Sequence, residues 1–182
     1  MSPAILSKSA QLAATILSKH SGRFLIGIDG ALGSGKSTLA DAIAPTLKAE
    51  VVSLDLFLNE QQGQYFKSLR LEQLKRRIAG ARGPTVVEGV CLLQVLDAIS
   101  TPYDELVYVK RMDGGWSDEA ECDVPSDPEA RIAELLTQMR EIDQAMGGEP
   151  SKALPAGREE VLRYHAKYRP QDRATFEYWT TI

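Results

Sequence analysis

Cysteine is nearly missing from this chain: Cys91 and Cys122 are the only two, far apart and without a CxxC neighbour. That excludes a disulfide framework and a cysteine-held zinc cluster, and suits a reducing cytoplasm. Long apolar runs are missing as well. The N-terminal stretch "SPAILSKSAQLAATILSKHSG" carries Lys8 and Lys19 and never stays apolar for the ~18 residues a membrane span requires. Positive charge is not in excess either, with 21 Lys and Arg against 25 Asp and Glu. A net charge of −4 argues against a surface built to track nucleic-acid phosphates. No internal repeat, low-complexity tract or composition shift marks a second domain. A chain of 182 residues is long enough for one domain that buries roughly 70% of its unfolded surface.

What is present is a steady alternation of short apolar runs and helical patterns. The N-terminal stretch reads as a helix, with Ser2 as cap, Pro3 in the first turn, and Ile5, Leu6, Leu12, Ile16 and Leu17 near helical spacing. "RFLIGID" reads as the first strand, and "STLADAIAPTLKAE" as a helix with Pro45 late enough to bend or shorten it. "VVSLDLF" is a second strand ending at Asp55, residues 58 to 68 a loop, and "LRLEQLKRRIAGAR" a helix broken by Gly83 and Pro84. A third strand, "TVVEG", a short helix at "CLLQVLDAI" and a fourth strand, "ELVYVK", follow. Further helices are expected at 127–146 and at "REEVLRYHAKYR", the latter stopped by Pro170, before a last strand, "ATFEYWT". The pattern predicts an α/β fold of parallel strands with helices on both faces. Residues 1–182 are expected to form a single domain, with a helical lid or insertion within 112–155.

One stretch has no packing rationale. "GALGSGKST", residues 30–38, places three glycines, a lysine and three hydroxyls in nine positions, although glycine is costly inside regular structure. Gly30, Gly35, Lys36 and Ser37 satisfy G-x-x-x-x-G-K-[ST], with a strand before and a helix after, the context this phosphate-binding loop needs. The glycines, with Ala31, Leu32 and Ser34 between them, let successive amides point at phosphate oxygens, and the helix beginning near Gly35 adds its positive end. Lys36 is expected to reach the outer phosphates, Ser37 to give its hydroxyl to a magnesium ion, and Thr38 to support the first helical turn. The plain alternative is a glycine-rich turn capped by Ser37. A dinucleotide fingerprint is excluded, because its third glycine would fall at Thr38 and Lys36 has no place in it.

The acidic residues separate the classes of nucleotide-binding protein. No guanine-reading N-K-x-D and no "LSGGQ"-like signature is present. Asp55 closes the second strand and Glu88 the third, and in an open parallel sheet ligands gather at these carboxyl ends. Neighbouring strands lie ~4.8 Å apart, so three such ends span about 10 Å, the scale of a triphosphate and an acceptor hydroxyl. Asp55 is then placed to take the acceptor's proton, and Glu88, with Ser37 and Asp55, to hold magnesium. Each acid has a bland counterpart: a turn-forming aspartate and a costly buried carboxylate.

"LIGIDGALGSGKSTLA", "VVSLDLFL" and "TVVEGVCLL", in this order and spacing, resemble the uridine kinase and phosphoribulokinase group of P-loop kinases. The resemblance covers about the first half of the chain. It implies a three-layer P-loop NTPase fold with a five-stranded sheet in the order 2-3-1-4-5, ATP and magnesium as cofactors, and phosphorylation of a hydroxyl on a small metabolite. Carried over, residues 30–38 match the phosphate loop, Asp55 the catalytic acid and Glu88 the carboxylate of the group's "EG" pair. The aspartate, histidine and proline run of uridine-phosphorylating members is lacking in "NEQQGQYFKSLRLEQ", and no arginine-bearing lid is recognisable in "MDGGWSDEAECD". Of the later arginines, Arg169 in "KYRPQDR" is the one chosen to grip the transferring phosphoryl group, because Pro170 fixes the backbone beside it. Phe57, Tyr65 and Phe66 are acceptor-pocket candidates, as are Tyr164 and His165, each with core packing as the alternative. Two other classes stay open: a nucleotide-binding regulatory module, and a nucleotide-monophosphate kinase using Arg70, Arg76, Arg77 and Arg82.

Overall fold

The computed structural model describes residues 3–59, 64–111, 127–155 and 157–180. Six parallel strands form its sheet: β1 (Ala4–Leu6), β2 (Leu25–Gly30), β3 (Glu50–Ser53), β4 (Thr85–Glu88), β5 (Glu105–Arg111) and β6 (Phe176–Thr180). The helices are α1 (Ser9–Lys19), α2 (Lys36–Leu47), α3 (Leu71–Ala79), α4 (Leu92–Ala98), α5 (Pro128–Ala145), α6 (Arg158–Tyr168) and α7 (Pro170–Arg173).

The sheet order is β1-β6-β5-β2-β4-β3, six strands where five were expected. The addition is β1, in a segment whose spacing had suggested a helix. Ala4, Ile5 and Leu6 instead pair in parallel with Phe176, Glu177 and Tyr178, and Leu6 packs on the apolar cluster beneath α1 and α2. Tertiary pairing overrides a weak local helical preference here. Because this strand comes first in the chain, the numbered order differs from the five-stranded expectation, and the five expected strands run β3-β4-β2-β5-β6 beside it.

Alternation along the strands divides the core. Ile26, Ile28, Val86, Val107 and Val109 face α1 and α2, where Leu12, Ile16, Leu39 and Ile43 are fully or almost fully buried. Val52, Val87, Leu106 and Tyr108 face the other way, against Leu74 and Ile78 of α3, Leu92 and Leu96 of α4 and Val161 of α6. Every residue of β2 is buried, as a central parallel strand covered on both faces requires. The expected insertion is described only in part: residues 112–126 lie outside the described residues, and α5 joins α6 through Ile132, Leu135, Leu154 and Leu162. Among the described residues, no helix is long and apolar enough to cross a membrane.

Two local differences bear on the site. The second expected strand ends at Ser53, and Leu54–Phe57 forms a 3-10 turn, because Leu54 turns into the core and is wholly buried. Pro170 does not merely stop a helix. It opens α7 at the first helical position, where its missing N–H has no cost.

Gly89, just after β4, allows the Leu54 turn to approach. A Cβ there would lie 2.7 Å from the Leu54 Cβ, with Leu54 unable to retreat. Gly89→Ala is therefore expected to destabilise the protein by about 1–3 kcal/mol, the usual cost of overpacking. Urea unfolding of the variant measures it, and an unchanged midpoint would show that the two turns do not depend on this contact.

Candidate active site

The chain leaves the sheet at Gly30, whose register partner across β5 is Val109. Its φ of 153° suits glycine, and a Cβ there would fall 2.5 Å from the Val109 carbonyl oxygen and 2.8 Å from Ser34 Oγ. Gly33 and Gly35 follow with φ of 72° and 96°, in the left-handed region where glycine is favoured. Gly35 is the N-cap of α2 and offers no side chain to its first amides. Lys36 is largely buried, and its Nζ donates to the carbonyl oxygens of Gly30 at 3.1 Å and Ala31 at 2.6 Å. Ser34 Oγ is buried and lacks a hydrogen-bond partner among the described residues. An uncapped helix start, an unpaired buried hydroxyl and a lysine together fit a polyphosphate, which supplies acceptors to all three.

Two more strand ends reach the same place. Glu88 is paired in register with Ile28 on β2 and with Ser53 on β3, so β3 and β4 deliver Asp55 and Glu88 beside the loop. A cavity of about 490 Å³ is lined by Leu32, Gly33, Gly35, Lys36, Ser37 and Thr38 on one side and by Asp55, Tyr65, Glu88, Gly89 and Val90 on the other. Glu88 is buried, whereas Asp55 lies on its exposed turn and accepts a 2.7 Å hydrogen bond from Tyr65 Oη. One serine hydroxyl and two carboxylates suit magnesium carried in by a nucleotide, an ion that usually keeps substrate oxygens and water among its ligands. No cluster of three or more His, Cys, Asp or Glu able to hold a metal occurs among the described residues.

Leu32, Leu58, Tyr65 and Val90 are shared with a second, more apolar cavity of about 240 Å³, which continues to Asn59, Ser68, Cys91, Gly157, Glu160 and Val161. Its only charged side chain among the described residues is Glu160. Both oxygens of that carboxylate are engaged, accepting from the amides of Tyr65 at 2.7 Å and Phe66 at 2.8 Å.

Among solved structures, the chain is similar to one described as a "Possible Uridine Kinase from Bacillus stearothermophilus", at 18% identity, covering 93% of this chain and 96% of that one with a TM-score of 0.53. The fold is that of the P-loop kinases. A "putative fructose transport system kinase from Silicibacter sp. TM1040" is also similar, at 18% identity, covering 96% of this chain and 100% of that one with a TM-score of 0.47. No family model and no curated protein matches the chain. At such identity the likeness is one of fold, and the chemistry rests on the site itself.

The loop residues Leu32, Gly33, Gly35, Lys36, Ser37 and Thr38 thus meet Asp55 and Glu88 around one space, with Gly30, Ala31 and Ser34 forming the turn beneath. Arg169 is not among the residues lining this space. It is exposed, in the left-handed conformation, with Nε donating to Asp172 Oδ2 at 2.5 Å. Arg76, Arg77 and Arg82 are exposed and Arg77 pairs with Glu50, while Arg70 donates to the carbonyls of Leu56 and Phe57. None of the four lines either cavity. Tyr164 and His165 are almost wholly buried. Burial lowers His165 to about 4, and it bridges Tyr108 Oη and the Val161 carbonyl as a core group.

Sequence reasoning missed Asp29, the buried carboxylate directly before the loop. On alternating β2 it faces α4 and α6, accepts a 2.8 Å bond from the Gly30 amide and pairs with Tyr164 Oη, which in turn accepts from the Leu93 amide at 3.1 Å. A charged residue inside an apolar strand was the available signal, since burying it demands partners. Burial raises its pKa to about 6, against the opposing pull of Tyr164, the Gly30 amide and Lys36.

Because the folded value lies above the ordinary 3.8, the folded state holds this proton more tightly than the unfolded chain, and Asp29 loses stability for the protein as pH rises between the two values. Comparing urea unfolding of wild type and Asp29→Asn at pH ~4.5 and ~7.5 is expected to show the difference moving against wild type by roughly 2 kcal/mol. A difference independent of pH would show that Asp29 titrates normally.

Proposed function

We propose that the protein is an ATP-dependent phosphotransferase that moves the γ-phosphoryl group to a hydroxyl of a small, uncharged molecule. The observation that carries this reading is the single cavity in which Lys36 and Ser37 face Asp55 and Glu88. ATP with magnesium would supply the phosphoryl group and neutralise charge as it transfers.

The chain's own residues account for the rest. Loop amides and the start of α2 bind the phosphate tail, and Lys36 exchanges its carbonyl partners for phosphate oxygens. Ser37 and Glu88 hold the metal-bearing end. Asp55 accepts the proton of the acceptor hydroxyl, a role worth roughly 100- to 10,000-fold in rate. Leu32, Leu58 and Val90, common to both cavities, keep water from the transfer and favour alcohol over hydrolysis. On the far flank of the loop, Thr38, Arg111, Tyr178 and Trp179 line another cavity of about 490 Å³, with the aromatic and cationic surface a nucleoside takes. The apolar second cavity, without a lysine or arginine among its described residues, favours an uncharged acceptor over a nucleoside monophosphate.

An ADP-release screen across nucleosides, sugars, sugar phosphates and vitamin alcohols tests the proposal. A large acceptor-dependent rate with an uncharged alcohol is expected. Acceptor-independent ATP turnover, or none, would favour a nucleotide-binding regulatory module. Asp55→Asn is expected to lower kcat by 100-fold or more while sparing ATP affinity, checked by steady-state kinetics and nucleotide titration. An Asp55→Asn variant of full activity would remove this residue from the chemistry.

A further inference from the structure

We propose that Tyr65 and Glu160 form a positioning relay that carries the placement of α6 to the carboxylate of Asp55. The inference rests on the reading of Asp55 as proton acceptor given above.

Asp55 lies on an exposed turn, where an aspartate without partners samples several side-chain rotamers. Its one side-chain hydrogen bond among the described residues is the 2.7 Å bond from Tyr65 Oη to Oδ1. A phenol keeps its proton at neutral pH, so Tyr65 is the donor in this bond. With Oδ1 occupied, Oδ2 is the oxygen left to accept the alcohol's proton.

Tyr65 is itself held from a distant part of the chain. It precedes the short 3-10 turn Phe66–Ser68, and the amides at the start of that turn, Tyr65 N and Phe66 N, both donate to the Glu160 carboxylate. A carboxylate receiving two successive amides makes a charge-assisted, two-point clamp, stiffer than a single bond. The clamp joins residues 94 and 95 positions apart. Its location is equally specific: Tyr65 lines both the loop cavity and the apolar cavity, and Glu160 lines the latter. Acceptor binding beside Glu160 and proton transfer at Asp55 therefore meet at one ring. A carboxylate used only to stabilise α6 has no need of these two amides.

The relay predicts a specific kinetic pattern. Tyr65→Phe, nearly isosteric, is expected to lower kcat for phosphoryl transfer by roughly 10- to 100-fold, the scale of a misplaced catalytic group, with less than about a twofold change in KM for ATP. Glu160→Ala is expected to do the same, and the double variant to be no slower than either single one, because both remove one shared constraint. Losses that multiply in the double variant, or a Glu160→Ala defect confined to KM for ATP, would overturn the relay. Glu160→Gln, which keeps one acceptor oxygen, serves if the alanine variant does not fold.

A readout without turnover separates this idea from the proposed activity. In protein labelled at aspartate carboxyl carbons, the Asp55 resonance at fixed pH is expected to move in the same direction in Tyr65→Phe and in the Glu160 variant. An Asp55 signal unmoved by the Glu160 substitution sinks the relay even in an active enzyme. Both variants moving it in a wild-type background without transferase activity would keep the relay and discard the kinase.

Discussion

The site depends on the close approach of β2 and β5 at the point where Gly30 leaves the sheet. The Val109 carbonyl lies where a side chain on Gly30 would begin, so the chain turns away from β5 with its backbone bare. From that turn the next residues run with glycines in left-handed conformations and enter α2 without a capping side chain. Such an arrangement leaves the first amides of α2 without a side-chain cap, a cost of the kind normally avoided in protein interiors. On the proposed function an arriving anion recovers that cost, and the wholly buried β2 holds the turn against a rigid core.

The proposed nucleotide half of the candidate site is written in contiguous residues. Residues 30–38 needed only a strand before and a helix after, and both are present. Asp55 and Glu88 were legible for a related reason: each follows a short apolar run, and parallel strands in register bring such ends together. The start of the expected N-terminal helix, residues 4–6, was misread because its strand partner, β6, lies some 170 positions away, and helical spacing over a few residues carries little energy against a paired backbone. Asp29 was visible only as an anomaly, a carboxylate in an apolar strand whose partner is Tyr164 on a late helix. Glu160 left no local sign at all, since its role is set by amides in another part of the chain.

The two halves of the site are built differently. The proposed phosphate side is backbone, shaped by glycine and fixed by the sheet. The proposed acceptor side is made of side chains and short turns, drawn together from the segment after β3, the start of α4 and the helix α6. A backbone cradle suits a ligand common to a whole fold, whereas side chains are free to vary with the molecule that is bound. The buried pair of Tyr164 with Asp29 and the grip of Glu160 on the Tyr65 turn both issue from α6, so this helix touches the two halves at once.

The small strand β1 has a consequence for the protein in a crowded solution. Without it, β6 would present an open row of amides and carbonyls, and Thr180 of that strand bonds the Ser34 carbonyl of the loop. With it, the margins of the sheet are β1 and β3, of three and four residues, each too brief to template a neighbour's strand.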